Sequence, residues 1–320
     1  MEVEGLKSTL REAQNLEDAV RDFCEDCRLR SMSEKTIEGY RSCILIFLNF
    51  ITRKGVRLSD VDNYMLRDFL GYLKLERNIK HKTTKEYFSA LSSFYDYLTF
   101  EGIVNTNIVL PFRRRYLRQY KEDYDDPERK LLSMEEMSKL INSIIDPRDK
   151  ALAVLFAKTG VRRGELLKID VEDINWEEYS ITLKPTPKRS NRIVFFDEEC
   201  GIVLRRWLRL REKLNPKTKA LFVSYDTMDR LRRNGVWTAI VKYAKRLGFH
   251  NSQSPRLEDH FGPHCFRHWF TTWLLRNGMP REYVKELRGD KRGEAIDIYY
   301  HIDKKELRRA YLACIPKLGI

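Results

Sequence analysis

His264, Arg267 and His268 lie close together in PHCFRHWFTTW, and two tyrosines, Tyr299 and Tyr300, follow in IDIYYHI. Residues three apart on an α-helix share a face, so His264 and Arg267 can address one target with His268 beside them. A guanidinium presents a planar fork of donors that stays charged at physiological pH, and an imidazole can give or take a proton. Together they suit a phosphodiester, with a tyrosine at the edge of the site. Taken alone, His and Arg at this spacing more commonly make a solvated helix face. A second stretch shifts the balance: Thr159-Gly160-Val161-Arg162-Arg163-Gly164-Glu165-Leu166 offers another arginine directly after a sharp glycine turn.

The two stretches together resemble the signature boxes of the tyrosine recombinases, the integrase and Xer-type family. T-G-x-R followed by E-L comes first, then H-x-x-R, then a tyrosine in an I-Y-x-H setting, here Ile298-Tyr299-Tyr300-His301. The resemblance implies a mainly α fold with a small antiparallel β-sheet in the catalytic domain, arranged as a two-domain C-shaped DNA clamp. It implies a site-specific recombinase or integrase that breaks and rejoins DNA through a 3′-phosphotyrosyl intermediate, without metal or any other cofactor. The implied partner is a double-stranded DNA recombination site, bound by a homotetramer on paired sites.

Residue by residue, the resemblance makes Arg162 and Arg267 the phosphate-flanking arginines, Tyr299 the nucleophile and His264 a group for proton transfer or orientation. In that family a lysine on a β-hairpin reaches the cleavage site. Here the turn Pro187 to Arg192 is similar, which points to Lys188, with Lys184 as its rival. Tyr300 competes with Tyr299, but successive helical residues point about 100° apart, so only one can face the phosphate. One position departs from the pattern: where the family carries a His ahead of the tyrosine, Leu287-Arg288-Gly289-Asp290 supplies Asp290. An ionised carboxylate donates no hydrogen bond to phosphate and is repelled by it. Either Asp290 turns to orient Arg267 or another cation, or Lys291 or Arg292 supplies the missing contact. A type IB topoisomerase would share the phosphotyrosine chemistry, and a decayed DNA-binding accessory protein would share only the basic surface.

Composition agrees with this reading. The chain has 320 residues, 42% of them hydrophobic, and a formal net charge of +13, with a pI near 9.4. That length favours two domains, and that charge favours a polyanionic partner. No uncharged apolar run reaches the roughly 18 residues of a membrane span, and MEVEGLKSTL lacks a signal-peptide core, so a cytoplasmic protein is expected. Cys24 and Cys27 form a C-x-x-C, but they fall on one apolar helical stripe with Leu16, Ala19, Val20 and Phe23, so no metal site is expected.

The elements that must position these residues follow from periodicity. Residues 1–15 read as a frayed polar lead-in. Residues 16–110 carry four amphipathic helices and are similar to the family's core-binding domain. Its candidate DNA contacts are Lys35, Lys80, Lys82 and Lys85, at helix starts where free N–H groups and the dipole favour phosphate. Residues 111–130, PFRRRYLRQYKEDYDDPERK, show no apolar period and read as a charged linker bearing Arg113, Arg114 and Arg115 toward DNA. Residues 131–301 read as the catalytic domain. It opens with the capping box at Ser133 to Glu136, continues with a buried helix closed by Gly160, and includes a strand pair, Tyr179 to Leu183 and Arg192 to Phe196. A helix from Asp229 to Phe249 is expected to break at Gly235. Residues 302–320 form a short helix and tail whose Leu307, Tyr311 and Leu312 suit packing either at home or on a neighbouring protomer.

Overall fold

The computed structural model describes residues 2–118, 130–185, 192–254, 256–290 and 302–320, with side chains from Leu16 onward. The chain divides into two units, Met1–Tyr124 and Asp125–Ile320.

The first unit is helical. The lead-in is itself helix, since α1 runs from Glu2 to Leu29. Ser33 caps α2 (Glu34–Arg53) by accepting from the Thr36 amide at 3.2 Å. Asp62 opens α3 (Asn63–Gly71) by accepting from Met65 N at 2.8 Å, which leaves Ser59 in a single 3-10 turn. The chain winds on through a π-type turn, Tyr72–Glu76, and then forms α4 (His81–Phe100). Phe47 meets Phe69 edge-on at 5.0 Å and Phe23 meets Phe94 at 5.3 Å, so aromatic side chains hold the bundle together.

The expected linker begins later than its charge pattern suggested. Val109–Tyr116 is a helix, α5, started by Asn107, whose Oδ1 accepts from the Val109 and Leu110 amides. Val109 and Phe112 are buried, and Phe112 stacks on Phe88 at 5.3 Å. The apolar residues recur at helical spacing, but three consecutive arginines between them hid the pattern. Arg113, Arg114 and Arg115 therefore belong to a helix fixed on the first unit, and Arg113 donates to Ser89 Oγ at 3.0 Å.

In the second unit, α6 (Met134–Asn142) starts with the Ser133–Glu136 capping box. Next comes α7 (Pro147–Thr159), whose residues from Ala151 to Ala157 are fully buried. Around it pack α9 (Glu198–Leu214), α10 (Arg233–Arg246) and α11 (Pro263–Arg276). The sheet has three antiparallel strands in the order β1 (Ile174–Asn175), β2 (Ser180–Leu183), β3 (Arg192–Phe195). The strand pair thus gains a two-residue edge strand too short for alternation to reveal. Gly235 does not interrupt α10, which starts at Arg233 and so places that glycine in its first turn, where Leu231 packs against it.

The C-terminal helix α13 (Lys304–Cys314) packs at home: Leu307 and Tyr311 are buried with Phe270 and Leu274, while Leu312 stays 42% exposed. Tyr311 Oη donates to the Lys158 carbonyl at 2.8 Å. The fully buried Lys158 ammonium donates to Asp197 and Glu199 at 2.5 Å each and to the Pro316 carbonyl at 2.7 Å. The amides of Leu318 and Gly319 donate to Glu199 from the other side. Burial alone would raise the Glu199 pKa, but Lys158 and these two amides outweigh it and hold the carboxyl below its ordinary value. One buried cation thus joins α7, the start of α9 and the tail.

Removing the cation leaves two largely buried carboxylates unpaired, which costs about 3–5 kcal/mol. Lys158→Met is expected to lower Tm by roughly 6–20 °C, at about 2–4 °C per kcal/mol for a unit of this size. Because the folded Glu199 pKa is depressed, the contribution is present above the unfolded value and is lost as pH falls through the folded one. The Tm gap between wild type and Lys158→Met, followed by thermal unfolding, should narrow from neutral pH down to about pH 3.

Candidate active site and nucleic-acid interface

α7 ends at Gly160, whose φ of +58° is the left-handed conformation of a helix C-cap. A Cβ there would lie 2.3 Å from the Phe270 ring of α11, so only glycine permits both the turn and the close packing of the two helices. The chain then extends through Val161 to Arg162, which precedes the one-turn helix α8 (Arg163–Leu166). Glu165 reaches back and accepts from the Arg162 amide at 2.7 Å, fixing the backbone from which the Arg162 side chain departs.

Arg267 stands on α11, with its side chain only 5% exposed. Its Nη1 donates to the Gly160 carbonyl at 2.9 Å, joining the two sequence boxes directly. Its Nη2 donates to the carbonyl of Arg288, also at 2.9 Å, and Arg162 Nη1 donates to that same oxygen at 3.1 Å. Arg288 is the last residue of α12 (Arg281–Arg288), which Gly289 closes with φ +58°. The negative end of α12 therefore sits between the two arginines.

Asp290 follows at once. Its Oδ1 lies 3.2 Å from Arg267 Nη2 and 3.5 Å from Arg162 Nη2, and its Oδ2 lies 2.9 Å from Arg288 Nε. The carboxylate turns onto the arginines, the geometry that the first of the two possibilities at this position requires. Lys291 and Arg292, the alternative, lie outside the described residues. Burial is the main cause that pushes the Arg267 guanidinium below its ordinary pKa; Arg162 and Arg288 add to this, and Asp290 and Glu165 oppose it. Such a crowd of guanidiniums favours a further anion.

His264 lies one turn before Arg267 on α11, exposed, with its ring edge-on to that of His268 at 5.0 Å. Of the two candidate lysines, Lys184 sits in an ion cluster on Asp170 and, at 3.5 Å, Asp173, with Arg230 on the other Asp170 oxygen. Lys188 lies outside the described residues, as do Tyr299 and Tyr300.

Sequence reasoning missed Arg192, the first residue of β3. Its guanidinium forks onto Glu165, with Nη1 to Oε1 at 2.7 Å and Nη2 to Oε2 at 2.8 Å, and its Nε donates to the Leu287 carbonyl at 3.1 Å. The signal was a lone charged residue opening an otherwise apolar strand, RIVFF. Burial would raise the Glu165 pKa, but the arginine fork and the Arg162 amide hold it below its ordinary value.

In the first unit the structure brings together Lys82, Lys85, Arg113 and Arg114, which line a groove of about 550 Å³ with Glu86 and Ser89. Lys80 is the N-cap residue of α4, just ahead of this groove, and its side chain is exposed. Lys35, on the first turn of α2, and Arg115 are exposed and are not among the groove's lining residues. No group of His, Cys, Asp and Glu suited to a metal ion occurs among the described residues, and none of their helices is long and apolar enough to cross a membrane.

Comparison with known proteins identifies the family and the fold. The XerC tyrosine recombinase of Oceanobacillus iheyensis is 30% identical over 300 residues, covering 90% of this chain and 92% of that one. The XerD tyrosine recombinase of Listeria innocua is 26% identical, covering 90% and 95%. Among solved structures, the XerH site-specific recombinase bound to palindromic difH substrate superposes with a TM-score of 0.67 at 20% identity, covering 90% of this chain and 81% of that one. The Tn1549 transposon integrase in complex with a circular intermediate DNA superposes at 0.69 with 16% identity, covering 92% and 98%. The N-terminal SAM-like domain model of phage integrases matches residues 20–101 and the phage integrase family model matches residues 130–306, so the chain belongs to the phage integrase family.

Proposed function

We propose that this family member acts as a site-specific DNA recombinase in which Arg162 and Arg267 hold the scissile phosphate and Tyr299 attacks it. The observation that carries the reading is the convergence of Arg162 and Arg267, distant in sequence, on one backbone carbonyl and one carboxylate. Arg162 keeps about a third of its side chain exposed (32%) and is the member of the pair open to an incoming anion.

The chemistry follows from the residue types. A free tyrosine has a pKa near 10, so about one part in a thousand is ionised at neutral pH, a shortfall of roughly 4 kcal/mol. Two guanidiniums beside the phosphate favour the phenolate and stabilise the charge that builds on the non-bridging oxygens; losing one such donor typically costs about 3–4 kcal/mol. Attack of the Tyr299 oxygen forms a bond to phosphorus while the bond to the 5′-oxygen breaks, and Lys188 protonates that oxygen as it leaves. His264 serves proton transfer or orientation. The 3′-phosphotyrosyl linkage retains the energy of the broken phosphodiester, so a hydroxyl from a second strand can reseal it with neither metal nor nucleotide. Asp290 acts by aligning the two arginines rather than by touching DNA.

Double-stranded DNA is the proposed partner in the cytoplasm, gripped along its backbone by the groove of Lys82, Lys85, Arg113 and Arg114, with Lys35, Lys80 and Arg115 as outlying contacts. A homotetramer on paired sites is the proposed working assembly, because exchanging strands between two duplexes needs a cleaving site on each of four strands.

Three outcomes test this. Incubated in EDTA with nicked duplexes from the source replicon, wild type should leave a covalent protein–DNA adduct on a denaturing gel. Tyr299→Phe should abolish it and Tyr300→Phe should keep it; the reverse would move the nucleophile, and tight binding without adduct would favour a DNA-binding accessory role. Asp290→Ala should slow adduct formation by roughly tenfold or more, the loss of a charged hydrogen bond worth about 1.5–3 kcal/mol, with DNA affinity little changed. A faster reaction would show instead that the carboxylate opposes the phosphate. Lys82→Gln combined with Arg113→Gln should weaken binding alike on all sequences and reduce the slope of log K against log salt by about 2, read by fluorescence anisotropy.

A further inference from the structure

We propose that Arg192 is a positioning residue for strand cleavage, holding the Glu165 carboxylate in check so that Arg162 stays free for the phosphate. The inference rests on the reading of Arg162 as a phosphate ligand and goes beyond it to a residue that meets no substrate.

Arg192 is buried, with a side chain 8% exposed. All three guanidinium nitrogens are engaged within the protein, two on Glu165 and one on the Leu287 carbonyl, so it has no fork to offer DNA. Its position makes it a junction. It begins β3, just beyond the connection that carries Lys188. Its fork fixes Glu165 on α8, and its Nε fixes the last turn of α12, whose Arg288 carbonyl receives both Arg162 and Arg267. Its guanidinium also lies against Gly289, where an added Cβ would come within 2.7 Å of Arg192 Cδ, so the residue immediately before Asp290 must be as small as glycine.

Electrostatics gives the role a sign. Glu165 Oε1 lies 2.7 Å from Arg192 and 3.4 Å from Arg162, so the carboxylate is already within reach of both cations, and the short bidentate contact goes to Arg192. Bidentate arginine–carboxylate pairs are the stronger kind because two parallel bonds fix the geometry as well as the charge. Without Arg192 the nearest remaining cation among the described residues is Arg162, at 3.4 Å. Glu165 would then hold that guanidinium and reduce its attraction for phosphate, although nothing at the DNA surface had changed.

The test uses the full chain and the nicked duplex, and reads the rate of adduct formation at saturating DNA, DNA affinity by anisotropy, and Tm. Arg192→Gln should slow adduct formation at least tenfold per folded molecule while DNA affinity stays within about threefold. Arg192→Lys, which keeps charge but not the fork, should fall between it and wild type. The decisive arm is Arg192→Gln combined with Glu165→Gln: removing the orphaned charge while keeping its hydrogen-bonding shape should recover a substantial part of the lost rate. A merely structural bridge would lower Tm, leave the rate per folded molecule unchanged in Arg192→Gln, and show no recovery in the double variant, and either of those rate results overturns the proposal. Arg162→Ala in the same series keeps the two readings apart. Its loss of adduct alongside wild-type rates in the Arg192 variants would sink only this inference, whereas its retention of adduct would sink the assignment of Arg162.

Discussion

Two guanidiniums do not stay side by side inside a protein without oxygen between them. Unit charges about 4 Å apart repel by roughly 4 kcal/mol at an effective dielectric near 20, and burial adds a desolvation cost. In this chain the oxygens are the Arg288 carbonyl and the Asp290 carboxylate, both delivered by the end of α12. Much of the second unit follows from that need. α7 must stop at a left-handed glycine to present Arg162 and to expose the Gly160 carbonyl to Arg267. α12 must end where its terminal carbonyl falls between the two arginines, and Gly289 must turn the chain to bring Asp290 in behind it.

Around that centre lies a second set of buried charges that fix the segments presenting it. Lys158 draws the tail, α9 and α7 onto one ammonium, and α7 is the helix that ends at the Arg162 turn. The Glu165–Arg192 pair plays the corresponding part on the other side, tying the sheet to α8 and α12. Buried ion pairs are weak evidence for net stability, since well-packed apolar residues often do as well. Their value here is geometric: each charge has a defined set of partners, so each fixes several segments at once. Among its described residues the first unit has no buried ion pair. It is an aromatic-rich bundle, and its charges are spent on the surface, in the groove between α4 and α5.

Local signals in the sequence were sufficient for most of the helices, for the capping box at Ser133 and for the left-handed stop at Gly160, because each depends on a side chain and its near neighbours. They were insufficient at α5, where Arg113 to Arg115 masked the apolar spacing of Val109, Phe112 and Tyr116, and at β1, where two residues are too few to show alternation. Asp290 was legible as a departure from the family pattern. Its orientation was not, because that depends on where Arg162, Arg267 and Arg288 lie around it.

What the sequence by itself determined was therefore the family, the helical character and the identity of the charged groups, all properties carried by residue type and order. What only the tertiary structure decided was which charge meets which: that Glu165 takes Arg192 more closely than Arg162, that Lys184 is spent on Asp170, and that the tail packs at home on Lys158. The physical reason is that ion pairs are chosen by distance and burial, and any carboxylate in a chain this rich in arginine and lysine has many eligible partners until the fold selects one.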